Sequence, residues 1–84
     1  MDGLTQGRMV HYVLPNGKSA NQHRPAVVVK VWDKNAGTIN LQVFTDSYND
    51  FSEDDEGVSG LLWVTSVSYD DQHRPDTWHW IEKA

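Results

Sequence analysis

Two four-residue segments recur in this chain, Gln22-His23-Arg24-Pro25 and Gln72-His73-Arg74-Pro75. Each sets an imidazole beside a guanidinium, whose planar fork of donors suits a phosphate or carboxylate. If the two segments meet in space, they form a site for an anion. The flanking residues do not extend the match, and the plainer account is that Pro25 and Pro75 rigidify the start of a strand. A second constellation closes the chain, Thr77-Trp78-His79-Trp80. Tryptophans at i and i+2 on a strand point the same way. Beside Arg and Tyr they resemble the stacking wall of a site for a flat base or sugar. As core residues, at least one of them needs no function.

Four histidines, His11, His23, His73 and His79, raise a third chemistry. Three imidazole nitrogens and a carboxylate suffice for zinc. No His pair has i, i+2 or i, i+4 spacing except across turns, so any convergence must be wholly tertiary. The spacing therefore predicts no metal site and no cofactor. Catalysis has less support still. There is no cysteine, no Gly-x-Ser-x-Gly elbow and no glycine-rich phosphate loop. The paired carboxylates Asp54-Asp55 and Asp70-Asp71 lie in polar stretches, where nothing raises a pKa for acid work. The reading is that the chain is not an enzyme.

The elements that must position these residues read as strands. Arg8–Leu14 is short, apolar-rich and stopped by the turn signal Pro15-Asn16-Gly17. Lys18–Arg24 reads as an exposed loop. Pro25–Asp33 is β-branched, with Val27, Val29 and Val31 on one face and Ala26, Val28, Lys30 and Trp32 on the other. Lys34-Asn35-Ala36-Gly37 turns into Thr38–Thr45, where Ile39, Leu41 and Val43 alternate with Asn40 and Gln42, so residues 25–45 form a hairpin. The acidic segment 46–59 reads as a solvated, mobile loop; a calcium loop needs a spacing that Asp46, Tyr48, Asp50 and Ser52 do not supply. Leu61–Val67 is a fourth strand. Ser68–Asp76 is a second polar loop, and Thr77–Ile81 a short terminal strand. No segment of ordinary length has helical periodicity. The predicted class is all-β: a small five-stranded SH3-like or OB-like barrel, or a compact antiparallel sheet.

The 84 residues allow a single domain, 1–84, with an ordered core of about 7–81. So short a chain is marginally stable unless a disulfide, a metal or self-association supports it, and without cysteine a homo-oligomer is expected. Nine aromatic residues (4 Trp, 3 Tyr, 2 Phe) favour tight packing. A net charge of −5 argues against a nucleic-acid partner. No apolar run approaches a membrane span and no signal-peptide pattern opens the chain, so the expected location is cytoplasmic.

Taken together, Gly7-Arg8-Met9-Val10-His11-Tyr12-Val13, His23–Asp33, Asn40–Phe44 and Thr77–Trp80 resemble a family of small proteins encoded by bacteriophages and prophages. The likeness covers roughly residues 7–81 and leaves the acidic segment variable. It implies an accessory protein of the host-cell cytoplasm, of the kind that sequesters a nucleotide-derived immune signal. On that reading the protein is a non-catalytic binder of a small anionic, nucleotide-like ligand. Arg8, Arg24 and Arg74 contact phosphate or carboxylate, His11, His23 and His79 donate hydrogen bonds, and Tyr12, Trp78 and Trp80 stack. The alternative is a protein-interaction or inhibitor module that turns Asp50, Glu53, Asp54, Asp55 and Glu56 against a basic host protein.

Overall fold

Alternating apolar residues need a face to bury against, and in five short strands only closure gives every strand two neighbours. A computed structural model describes residues 1–82 and shows that closure. The strands are β1 (Met9–Val13), β2 (His23–Asp33), β3 (Thr38–Phe44), β4 (Leu61–Tyr69) and β5 (Thr77–His79). They follow one another around a closed barrel. This is a meander and not the Greek key of an OB-like barrel. Neighbours are antiparallel except β4 and β5, which run parallel through Ser68–Thr77 and Tyr69–Trp78. β5 closes the ring against β1, with His11 opposite His79 and Tyr12 opposite Trp78.

The core is the inward set of these strands: Val10, Tyr12, Ala26, Val28, Ile39, Leu41, Val43, Val67 and Trp78, capped by Leu4, Leu14 and Phe51. Trp78 is fully buried, and its indole N–H donates to the Gly37 carbonyl at 2.6 Å. Three register shifts interrupt the pairing of β2 and β4 with β3, at Val28/Lys30, at Val31/Asp33 and opposite Asn40 on β4, and the first and last switch the buried face. Val28 pairs with Leu41 and Lys30 with Asn40, so Val29 is an extra residue and the faces switch beyond it. Val31 therefore packs against the core while Trp32 is exposed, the reverse of strict alternation. On β4 the same switch falls between Val64 and Val67, where Ser66 has φ 55°. Asn40 pins both switches. Its side-chain oxygen accepts from Trp32 Nε1, Thr65 Oγ1 and the Ser66 N–H, each at 2.8 Å.

The acidic segment departs from the expected solvated loop, although Glu53, Asp54, Asp55 and Glu56 are exposed. Ser47–Asp50 forms one helical turn, and Phe51 is buried between two glycines. A Cβ on either Gly17 or Gly57, both at φ 87°, would stand 2.7 Å from the Phe51 ring. Asp50 is wholly buried. One aromatic and one carboxylate thus tie a charged segment to the barrel. No helix among the described residues is long and apolar enough to cross a membrane.

Candidate functional site

Strand register brings the histidines together. Val10, Tyr12 and Trp78 face the core, so His11, Val13 and His79 occupy the opposite, outer face of β1 and β5. His11 and His79 are direct cross-strand partners. On the other side of β1, His23 pairs with Val13, two residues from His11 and on that same face. The three imidazoles therefore form one patch across β2, β1 and β5. The fourth comes from the loop before β5, where His73 adopts φ 59° and stacks on His79 with ring centroids 3.7 Å apart. His73 also meets His23 edge-on at 5.1 Å. The two Gln-His-Arg-Pro segments thus converge through their histidines.

Glu82, three residues beyond β5, completes the cluster. A single carboxylate oxygen accepts from His79 Nε2 at 2.7 Å, from His23 Nδ1, and from His11 Nδ1 at a longer 3.4 Å. One ligand atom from each of His11, His23, His79 and Glu82 lies within 4.8 Å of all the others. The three hydrogen bonds, led by the one from His79, hold the Glu82 carboxyl down at about 2. Burial pulls the His79 imidazole below its usual value against the opposing pull of Glu82. Among the described residues His79 Nδ1 is buried without a hydrogen-bond partner, an arrangement costing roughly 1–3 kcal/mol.

The other candidate residues are occupied elsewhere. Arg24 lies on the alternate face of β2 from His23, and its fork is spent on the fold. Nε and one terminal nitrogen donate to Asp50 at 2.8 and 2.6 Å, and the other terminal nitrogen donates to the His23 carbonyl. Most of that fork is thus engaged by Asp50 and the backbone, and the side chain is held on the face away from the histidines. Tyr12 and Trp78, expected to stack on a ligand, are core residues with less than 2% exposure. The Tyr12 hydroxyl donates to Asp76 at 2.5 Å, and burial, reinforced by that carboxylate, pushes the phenol far above its ordinary value. Trp80 is half-buried edge-on to Trp78, with the Arg8 guanidinium 5.4 Å from its ring centre. Arg74 is exposed, 3.3 Å from Asp70. The residue that sequence reasoning missed is Glu82, a lone acid in the C-terminal Glu-Lys-Ala. Only its separation of three residues from His79 hinted at it.

A cleft of about 500 Å³ opens elsewhere on the barrel between Tyr12, Gly17, Phe51 and Trp63, with Asp55, Glu56 and Asp76 also lining it. Comparison with known proteins gives no matching family model, no matching curated protein and no matching solved structure.

Proposed function

We propose that this barrel is a non-catalytic binding protein whose immediate ligand is a divalent transition metal, held by His11, His23, His79 and Glu82. The observation that carries the reading is the approach of three imidazole nitrogens and one carboxylate oxygen to within 4.8 Å of one another. Zinc takes this donor set tetrahedrally, with bonds of about 2.0–2.2 Å. Nitrogen-rich sites also accept cobalt, nickel and copper, and disfavour magnesium and calcium. A soft-metal thiolate site is excluded by the absence of cysteine. His73, stacked on His79, fixes that ring's orientation from outside the donor set.

Equilibrium dialysis against zinc should load one ion per chain. His23→Ala is the informative variant, because His23 is partly exposed and its loss leaves the core intact. Losing this strand-held imidazole should weaken binding at least about 100-fold, the upper end of what outer-shell partners cost. Retention of zinc by a folded His23→Ala protein would sink the assignment.

The cleft favours a second reading, contact with a cationic group on a partner protein. Asp55 and Glu56 border it beside Trp63, which is half-exposed, and a guanidinium or ammonium gains from both an aromatic face and carboxylates. Replacing Asp55 and Glu56 with Asn and Gln should weaken binding of an arginine-rich peptide roughly tenfold, the equivalent of about 1.4 kcal/mol. Unchanged binding, or none by the parent protein, removes this reading and leaves the metal site untouched.

A further inference from the structure

The four metal donors are unequal, and the inequality points to one position. His11, His23 and His79 stand on strands locked by ladder hydrogen bonds to their neighbours. Glu82 follows β5 on an irregular segment, and its side chain is 43% exposed against 3% for His79. Three ligands are thus fixed by the barrel and one is fixed by little more than the site itself. Glu82 is also the anionic member of the four donors. All three imidazoles already direct a nitrogen at one anionic oxygen.

Resting on the metal reading above, we propose that Glu82 is an exchangeable ligand, and that a small oxyanion, a carboxylate or phosphate group, takes its place on the metal. In the exchange the bond between the metal and the Glu82 carboxylate breaks, and a bond from the incoming anionic oxygen forms. The Glu82 carboxylate returns to water with its charge. A divalent ion with three neutral imidazoles carries two positive charges, and the anion replaces the one negative charge that Glu82 withdraws. Coulomb attraction favours an anionic oxygen over a neutral donor at such a centre. Neutral imidazoles leave room for one such ligand in a tetrahedral shell. The protein is therefore a metal-anchored receptor for an oxyanion, on a surface that is otherwise net acidic.

Cobalt-loaded protein tests this, because the visible bands of cobalt report its ligands. Acetate and methyl phosphate are titrated separately at constant ionic strength, with chloride as control, into the parent protein and Glu82→Ala. Both proteins should retain cobalt, and both should shift saturably to one spectrum per anion. Glu82→Ala should reach the midpoint at about tenfold lower anion concentration, since its internal competitor is gone. A response to acetate alone or methyl phosphate alone supports the exchange and identifies the group. Two results overturn the proposal while leaving metal binding in place: spectra indifferent to both anions, or a loss of cobalt in Glu82→Ala as deep as in His23→Ala. Failure of the parent protein to bind cobalt at all overturns the metal reading, and this proposal with it.

Discussion

Replacing Arg24 with alanine should destabilise the domain by roughly 3–5 kcal/mol, the cost of leaving a buried charge without its partner. Asp50 has no exposed surface, and both its oxygens accept from the Arg24 fork. One oxygen also accepts from the Asp46 N–H at 2.7 Å. A lone carboxylate there must either ionise in a dry site or take up a proton, and each is costly. Asp50→Asn removes the buried charge and keeps one acceptor oxygen for the Arg24 and Asp46 donors, so it should cost less than Arg24→Ala. Asp50 also fixes the acid limb of stability. The Arg24 hydrogen bonds hold its carboxyl well below the usual range, against the opposing effect of burial. A carboxyl depressed in the folded state contributes fully above its unfolded value, near 4, and that contribution fades as pH falls toward the folded value. Urea denaturation at several pH values should show the parent losing stability below about pH 4. Asp50→Asn should lose less over that window. Equal acid sensitivity in the two, or an Arg24→Ala protein as stable as the parent, would remove the ion pair from this account.

Zinc should raise the melting temperature of this 84-residue chain by more than about 10 °C. A ligand that binds only the folded state adds about 2.7 kcal/mol at 100 times its dissociation constant and about 4.1 at 1,000 times. In a domain of this size each kcal/mol moves the midpoint by roughly 4–8 °C. The ion would cross-link β1, β2 and β5, which include the strand that closes the barrel, so its binding energy reports directly on closure. Only unprotonated imidazoles ligate, hence the shift should shrink as pH falls through the ordinary histidine range, near 6.5. Burial lowers the His79 value, so protonating that imidazole takes a lower pH than an ordinary one needs. Differential scanning calorimetry with and without zinc at pH 7.5 and pH 5 measures both effects. An equal shift in His23→Ala, or no shift in the parent at pH 7.5, contradicts the assignment.

The all-β class, the hairpin over residues 25–45 and the fourth strand were legible because a strand's two-residue period is written in adjacent residues. Ile39, Leu41 and Val43 are buried as their spacing requires. Where strict alternation failed, at Val29 and Ser66, the cause was a bulge. A bulge is a relation between two strands, and neither strand's own pattern contains it. The acidic segment was misread for a similar reason. Charge density suggests solvation, but Asp50 is buried by Arg24, 26 residues away in sequence.

The site divides along the same line. Residue types alone determined the available chemistry: imidazole and carboxylate donors, no thiolate, and guanidinium forks beside two of the histidines. Tertiary structure decided which of these meet. Strand register set His11 against His79 and placed His23 two residues along on the same outer face. Alternation along β2 turned Arg24 away from His23 and toward Asp50. The Gln-His-Arg-Pro repeat was real as a sequence feature, yet only its imidazoles converge. Adjacent side chains on a strand point to opposite faces, so on β2 His23 and Arg24 part company, while Arg74, in the loop before β5, reaches Asp70 instead. Glu82 was invisible for the complementary reason: its partners lie 3, 59 and 71 residues away, and only a closed barrel makes them neighbours.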